Sequence, residues 1–494
     1  MNQPAGTTAE PAPPSSWEPP PERPPANGAP RARARWSLAA VLATALLVDL
    51  ALQTRASGVA AFVAVAVTAV GLLSLGSVGA WLGRILVTAA LVPAAFLPLR
   101  ASAWLTAPNL VAVSVLLALG AGFAHQRSLR HAGFPRLIGN LLLAVGGVIL
   151  APEAVTGTVR SAHVMGGGRT RPVAVWRGMA MAAPLVVTLG LLFASADAMF
   201  ASLFHLSIDV ASVLAHVAVV ALVSLWAMGL LVHARNNDLP PATAAGPRLG
   251  ATESILVLSG LVAVTLAFAG ARVAVALNGA DFVTQRTGES YASYARSGFF
   301  QLLWASGLVL VVLLVLRSVT ELPSPRARRA FQWLSVACVA LMLVVVQTGV
   351  GRLALYERAF GSTMLRLYCT VFAWWVGAVL VMVATAVLTR RGAAWLTAAV
   401  MASALLVLTG LNLANPERIV TERNTERTAD FDVDYALSLS DDSVPVLVES
   451  LPRLGMADRA AVLGGLCRER AFGEPLRWNL AAVEAERSLA GNCG

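Results

Sequence analysis

The sequence contains no lysine, only four cysteines and five tyrosines, and few charged residues of any kind. Charged residues make up 13% of the chain, whereas a soluble domain usually carries about 25%. Hydrophobic residues make up 57% and come in runs long enough to cross a bilayer, which takes about 20 residues per helix. A soluble protein with buried parallel strands is excluded, because its apolar runs would span only about 4–8 residues. We therefore expect an all-α, polytopic helical membrane bundle with the lipid bilayer as its main partner.

The basic balance of the chain does not indicate a nucleic-acid partner, although the net charge is +10 and the pI about 10.5. The arginines cluster at the ends of apolar runs rather than on one soluble module. Cytoplasmic flanks of membrane helices carry such an excess of positive charge. We therefore predict a protein of the bacterial cytoplasmic membrane that binds no nucleic acid.

Familiar catalytic and metal-binding motifs are also missing. The sequence has no Walker-type phosphate loop, no paired-histidine zinc motif and no nucleophile elbow of the hydrolase type. The alternating Asp430, Asp432 and Asp434 resemble the start of a calcium loop, but Tyr435 and Asp441 stand where that loop needs Gly and Glu. We predict no cofactor and no metal, and whether the chain is an enzyme stays open.

Polar residues near the outer ends of two predicted spans are a second metal candidate. His205 and Asp209 are four residues apart and can share a helix face, with His216 following and Asp197 as a further ligand. We interpret them as a hydrogen-bonded cluster at the membrane interface. Asp49, inside the first span, is costly there unless it faces the bundle, a partner or the interface.

The number of spans follows from the apolar runs and from the arginine count. A short run over residues 137–150 has the length of a re-entrant or interfacial helix rather than of a span. With eleven spans and a cytoplasmic N-terminus, 20 of the 28 arginines before residue 415 lie inside and 8 outside, whereas a twelfth span gives 14 and 14. The positive-inside rule therefore favours eleven spans. They cover residues 36–53, 58–76, 82–99, 108–126, 178–196, 210–232, 254–277, 299–316, 331–350, 366–388 and 394–412.

Three segments of different composition divide the chain. Residues 1–35 are predicted to form a disordered, Pro-rich cytoplasmic tail, because ten of the 26 prolines lie in the first 30 positions. Residues 36–413 form the predicted transmembrane helical domain. Residues 414–494 hold 9 Arg and 14 acidic residues, with apolar positions at helical spacing. They predict a small helical domain, and an odd number of spans makes that domain extracytoplasmic.

The four cysteines fall into two groups. Cys338 and Cys369 lie in apolar runs, where a thiol behaves as a small hydrophobic group. Cys467 and Cys493 lie in the segment that we assign to an oxidising compartment, and we predict a disulfide between them.

A cluster of tyrosines and arginines is the candidate ligand-binding site. All five tyrosines fall on or near the outer face in the eleven-span topology, whereas an aromatic belt would place them on both faces. Arginine forks bind phosphate or carboxylate, and phenols add hydrogen bonds beside apolar surface, which suits an anionic headgroup or envelope metabolite. The alternative is that the charges pair to brace the loop and the tyrosines form an interfacial belt. The candidate residues are Tyr291, Tyr294, Arg296, Arg352, Tyr356, Glu357, Arg358, Arg366 and Tyr368.

Several short segments resemble an uncharacterised family of bacterial multi-pass membrane proteins. They begin at Phe193, Tyr294 and Leu353 and continue through Arg366-Leu-Tyr368, Asn415-Pro416, Arg423-Asn424, Asp434-Tyr435 and Leu439-Ser440. The family is identified by this resemblance as the domain of unknown function with the number four-one-seven-three. The resemblance runs from about residue 176 to residue 451 and implies a membrane protein with a helical tail, without implying an activity.

Three functions remain open from the sequence. A transporter-like protein for a small or anionic envelope solute predicts broken helices and a polar path near the midplane. An envelope assembly or sensory protein predicts that the extracytoplasmic helical domain binds a partner. A membrane-embedded enzyme on a lipid-linked substrate predicts a polar cavity that opens on one face.

Overall fold

The computed structural model describes residues 29–53, 57–75, 78–125, 210–235, 249–287, 299–389, 392–427, 431–469 and 479–493. Within these ranges the regular elements are helical, and the β pairing is a single isolated bridge between Leu249 and Thr320. The helices of the apolar region are α1 (Ala29–Gln53), α2 (Ser57–Ser74), α3 (Trp81–Ala89), α4 (Leu91–Ala95), α5 (Ala103–Gly122), α6 (Val210–Arg235), α7 (Ala251–Thr287), α8 (Phe299–Val319), α9 (Pro325–Phe360), α10 (Met364–Leu388) and α11 (Ala393–Ala414).

Six helices of the described part are long and apolar enough to cross a membrane. They are Ala103–Gly122, Ala251–Gly270, Leu302–Val319, Pro325–Phe360, Met364–Leu388 and Ala394–Ala414. Four shorter apolar helices cover Trp36–Ala51, Gly58–Ser74, Trp81–Ala95 and Val219–Arg235. Each of the ten overlaps a predicted span, but the count of eleven is not confirmed. The predicted span 178–196 and the short run 137–150 lie outside the described residues.

The boundaries of two predicted spans need correction. The span predicted to end at residue 99 stops being helical at Ala95, and residues 96–99 form turns. The span predicted over residues 331–350 is a longer helix, Pro325–Phe360. The Ser324 hydroxyl caps its start by accepting from the Ala327 amide, and Pro325 at the first position needs no hydrogen-bond partner. The helix ends at Gly361, which has a φ of 79°. Residues with a side chain rarely adopt this backbone angle.

The apolar helices pack into two bundles. In the first bundle, α1 to α6 share a core that includes Leu72, Leu117 and Met228. In the second bundle, α7 to α10 share a core that includes Met342 and Leu380. Helix α11 lies between the bundles, because its start packs on the second core and its middle packs on the first.

Most apolar helices that follow one another in the described chain alternate in direction, so that their ends gather at two opposite ends of the bundles. At one end, which we call the arginine end, the Arg235 guanidinium donates to the Leu75 carbonyl (2.9 Å) and to the Ser37 hydroxyl (2.8 Å). Other arginines lie near the beginnings or ends of helices at this end of the bundles. Together with Arg235 they are Arg84, Arg317, Arg326, Arg328 and Arg329. At the other end, which we call the domain end, lie the turns 96–102 and 361–363 and the junction of α11 with the C-terminal domain.

The C-terminal domain is a small helical unit with its own core. Its helices are α12 (Pro416–Thr425), α13 (Val433–Leu437), α14 (Val444–Ser450), α15 (Met456–Glu469) and α16 (Leu480–Leu489), with 3₁₀ turns at Asp441–Ser443 and Leu451–Arg453. Leu447, Val462 and Leu489 are buried at its centre. A second apolar contact, formed by Val420 with Met364 and Leu367, seats the domain on the start of α10.

Candidate functional site

The domain end carries a buried polar junction between the turn 96–102 and the C-terminal domain. Asp442 is its centre: one carboxylate oxygen accepts from the Arg100 guanidinium (3.1 Å), and the other accepts from the amides of Ala101 (2.7 Å) and Ser102 (2.9 Å). Only 1% of the Asp442 side chain is exposed. Ser440 caps the 3₁₀ turn that holds this carboxylate. Charge-assisted bonds of this kind are stronger than neutral ones, and here water hardly reaches them.

Arg100 reaches a third element, the end of α11. Its guanidinium donates to the carbonyls of Asn412 (2.8 Å) and Leu413 (3.4 Å). The last carbonyls of a helix lack partners within the helix and carry partial negative charge, so a cation there is favourable. One side chain therefore ties the first bundle to α11 and to the C-terminal domain.

Asn415 is the only residue between α11 and α12. Its φ of 52° lies in the left-handed region, and its side chain accepts from the Arg418 amide (3.2 Å) while it donates to the Asp442 carbonyl (3.0 Å). It ends one helix, caps the next and holds the 3₁₀ turn. Asparagine tolerates the left-handed conformation better than most residues and is a good helix cap, which explains why it occupies this position.

Glu417 is a buried carboxylate beside this pair, with 2% of the residue exposed. It accepts from the Ser102 hydroxyl (2.5 Å), the Ser440 hydroxyl (2.6 Å) and the Ser440 amide (2.8 Å). Burial raises the pKa of Glu417 above the ordinary carboxyl value, and the charge of Asp442 acts in the same direction, while the hydrogen bonds oppose both.

Two more asparagines complete the contact with the first bundle. Asn479 caps α16 and donates to the carbonyls of Arg100 (2.8 Å) and Leu97 (3.4 Å). Asn109 and Asn412 exchange two side-chain hydrogen bonds of 2.9 Å between α5 and α11, where both residues are buried. Their amide groups satisfy each other in an apolar environment.

The C-terminal domain also binds the turn between α9 and α10 in the second bundle. Arg427 donates to the carbonyls of Glu357 (3.0 Å), Arg358 (2.8 Å) and Ala359 (3.2 Å), which end α9. Asn424 accepts from the Ser362 amide (2.8 Å) and donates to its carbonyl (2.9 Å). The Tyr435 hydroxyl accepts from the Met364 amide (2.8 Å) at the start of α10. The domain therefore caps helix ends in both bundles.

The candidate ligand residues of the second bundle gather at the same turn. Arg366 lies over the Tyr356 ring, 4.3 Å from its centre, and donates to the carbonyls of Phe360 and Gly361. Glu357 lies 3.9 Å from Arg423. Tyr368 donates to the Trp104 carbonyl (2.6 Å) and so touches the first bundle.

The positions of these residues correct the predicted loop. Arg352, Tyr356, Glu357 and Arg358 lie in the last turns of α9, not in a loop. Arg352 and Tyr356 are partly buried, whereas Arg358 is exposed. Tyr291, Tyr294 and Arg296 lie outside the described residues. Because Arg366 donates to backbone carbonyls, the contacts favour the bracing alternative, and ligand binding stays a prediction.

Polar side chains of the other candidate cluster meet inside the first bundle. The His216 ring nitrogen Nδ1 lies 3.1 Å from an Asp49 carboxylate oxygen, which links α1 to α6 near the domain end. His205, Asp209 and Asp197 lie outside the described residues. Across the part of the chain that the structure describes, no three His, Cys, Asp or Glu residues form a metal-binding group. Asp432 caps α13 by accepting from the Tyr435 amide (2.9 Å).

Cys467 and Cys493 are joined by a disulfide, with their Cα atoms 5.7 Å apart. This separation lies in the usual range for such bonds. Cys338 is a buried free thiol, and Cys369 is a partly buried one. The bond links α15 to the segment that follows α16.

The sequence reasoning missed most of the junction. Arg100, Glu417 and Asp442 lie in no local sequence pattern that sets them apart from the other charged residues of the chain. The available signal was the pair of asparagines in apolar runs, Asn109 and Asn412, since a buried amide needs a partner.

Comparison with known proteins gives a family and no relative of known activity. Neither the curated proteins nor the solved structures yield a match to this chain. A family model described as a domain of unknown function (DUF4153) matches residues 85–450. The number expected from the resemblance was therefore wrong, while the expected kind of family, an uncharacterised one, is confirmed. The match includes the turn 96–102, both ends of α9, and the junction residues up to Ser450, so the chain belongs to the DUF4153 family.

Proposed function

We propose that the chain is a multi-pass protein of a bacterial cytoplasmic membrane, which acts in envelope assembly or sensing through its C-terminal domain. The six long apolar helices are compatible with a membrane protein. Exposed tryptophans at both ends of the bundles further support a location in a membrane. Trp36, Trp81 and Trp333 lie towards the arginine end, and Trp104 and Trp304 lie towards the domain end. Tryptophan favours both membrane interfaces.

The charges at the two ends support an orientation. The arginine end suits the cytoplasmic face, where positive flanks are retained. The acidic C-terminal domain then lies on the extracytoplasmic face, at the opposite end. The disulfide of this domain supports the same placement, because disulfides persist in the oxidising compartment outside the cytoplasm. The domain boundaries that we propose remain residues 1–35, 36–413 and 414–494.

The observation that carries the functional proposal is the attachment of one domain to both bundles. Arg100 and Asn479 hold it to the first bundle, and Arg427, Asn424 and Tyr435 hold it to the second. A transporter that rocks one bundle against the other at this end would have to break these bonds. A domain that receives a signal or a partner outside and passes it to both bundles would use them. We therefore favour assembly or sensing over transport.

Transport of a small or anionic envelope solute remains the second candidate. The Asp49–His216 contact favours it, because ionisable side chains within apolar helices often mark a path for protons or solutes. The two candidates differ in whether the docked domain is needed for activity.

Cysteine labelling tests the orientation. Met456, with 92% of the residue exposed on the C-terminal domain, and the exposed Pro323 before α9 are replaced singly by cysteine. Both variants also carry Cys338→Ser and Cys369→Ser. We expect a membrane-impermeant maleimide to label Met456→Cys in intact spheroplasts and Pro323→Cys only after permeabilisation. The reverse pattern contradicts the orientation, and labelling of both sites in intact spheroplasts contradicts an odd number of membrane spans between them.

Complementation tests the need for the docked domain. In a strain that lacks the gene, we expect Asp442→Ala to fail to rescue the envelope phenotype while membrane insertion stays normal. Glu449→Ala removes an exposed carboxylate of the same domain and should rescue fully. Full rescue by Asp442→Ala, with the domain shown to be released, would rule out the assembly or sensory role and leave transport as the better explanation.

A further inference from the structure

Glu417 differs from the other acid of the junction in having no cation. Arg100 pairs with Asp442, whereas the hydrogen bonds of Glu417 within the described ranges come from Ser102 and Ser440. Along the described ranges, no arginine or histidine forms an ion pair with it. The junction therefore buries two carboxylates around one guanidinium, and a buried carboxylate without a cation carries a large desolvation cost.

Among the described residues, the groups that interact with Glu417 add no positive charge. From the 3₁₀ turn comes the carboxylate of Asp442, and Tyr368 on α10 and Tyr435 on α13 face it with neutral phenols. On its own helix, Arg418 pairs with Glu422 at 2.8 Å, and both side chains are about half exposed to water. The Arg100 guanidinium is bound to Asp442, and no ion pair joins it to Glu417.

We propose that Glu417 is a proton-responsive element, and that its protonation tightens the attachment of the C-terminal domain to the turn 96–102. This inference rests on the proposed role of the docked domain in sensing. The signal that the domain would sense is a low pH in the cell envelope. The ligand is a proton from the solvent, which binds to the Glu417 carboxylate.

The geometry accommodates both protonation states. The oxygen Oε2 accepts the Ser440 amide and hydroxyl in either state, because a carboxylic acid keeps one carbonyl oxygen. The proton goes to Oε1, and the bond to the Ser102 hydroxyl then reverses, with Oε1–H as donor. A hydroxyl can reorient to accept, whereas a backbone amide cannot. Protonation removes the uncompensated charge and keeps the contact between the two segments.

The direction of the pH effect follows from the raised pKa of Glu417. A group with a higher pKa in the docked state binds its proton more tightly there than in the undocked, solvated state. Its contribution to docking is therefore complete below the ordinary carboxyl value of 4.5 and is lost as the pH rises through the raised pKa. Each unit of the shift corresponds to about a tenfold change in the docking equilibrium.

Hydrogen exchange of the full chain in lipid nanodiscs tests the inference. The protection of the amides of residues 97–102 and 440–443 is measured between about pH 5 and pH 8 and corrected for the intrinsic exchange rate. In the unmodified chain, we expect about tenfold greater protection at the acidic end per unit of pKa shift. Glu417→Gln should keep high protection that does not change with pH. Glu422→Gln, which changes a half-exposed carboxylate on the same helix, should behave like the unmodified chain.

The outcomes separate the inference from the functional proposal. If Glu417→Gln retains the pH response of the unmodified chain, or lowers protection at every pH, Glu417 is not the responsive group. An unmodified chain without a pH response also overturns the inference. Asp442→Ala is measured alongside: if it leaves protection unchanged at every pH, the docked domain itself is not held as described, and the proposed function fails with it.

Discussion

Replacement of Asp442 by alanine is expected to lower the free energy that holds the C-terminal domain to the first bundle by about 3–5 kcal/mol. The substitution removes the acceptor of three hydrogen bonds and leaves the guanidinium of Arg100 and the amides of Ala101 and Ser102 without it. Removal of one partner of a buried ion pair costs more than the pair itself contributes, since the other charge stays buried. The amide hydrogen exchange of residues 97–102 measures this energy directly.

Two further variants show whether the charge or the shape of Asp442 is responsible. Asp442→Asn keeps the size of the side chain and one acceptor, so we expect a smaller loss than for alanine. Glu449→Ala should change protection by less than about 0.5 kcal/mol, because this residue is exposed. If Asp442→Ala behaves like Glu449→Ala, the junction does not hold the domain to the first bundle, and the proposed function, which rests on attachment to both bundles, fails.

Loss of the Cys467–Cys493 disulfide is expected to destabilise the C-terminal domain by about 3 kcal/mol. The two cysteines are 26 positions apart, and the bond restricts the unfolded chain between them. It also fastens the end of α16, whose buried Leu489 completes the domain core. Thermal melting of the purified protein with and without reductant, next to Cys493→Ser, gives the size of the effect.

The oxidation state itself is checked by alkylation before and after reduction, followed by mass measurement. Cys369→Ser, which removes a free thiol, should melt like the unmodified chain in the absence of reductant. Reductant should lower the melting temperature of the unmodified chain but not that of the Cys467→Ser, Cys493→Ser double variant. Full labelling of both cysteines before reduction would show that the bond does not form.

The sequence predicts the apolar helices well, because their signal is local. Each apolar helix of the described part overlaps a predicted run, and Ser324-Pro325 and Gly361 mark the ends of α9 by their backbone preferences. The ends of the spans were less accurate. The apolar run ends at residue 350, but α9 continues to Phe360. Charged residues can form helix as well as apolar ones, so hydropathy does not mark where the helix ends.

The polar junction could not be predicted in the same way, because its partners are far apart in the chain. Asp442 looks like an ordinary helix-start acid until Arg100, 342 positions earlier, is placed beside it. Asn109 and Asn412 are 303 positions apart. No local pattern relates such residues, and only the packing of α5 on α11 brings them together.

The turn 96–102 completes its hydrogen bonds late in synthesis. Arg100 emerges from the ribosome in the first quarter of the chain, but the side chain of Asn479, which binds its carbonyl, follows 379 residues later. Chains fold from the N-terminus as they are made, so the amides of Ala101 and Ser102 lack their Asp442 acceptor until that part of the chain has been made. A chain cut short before residue 442 therefore lacks the carboxylate that accepts from these two amides and from the Arg100 guanidinium. The closed junction therefore marks a molecule in which the turn 96–102 and the C-terminal domain have both been made and folded together.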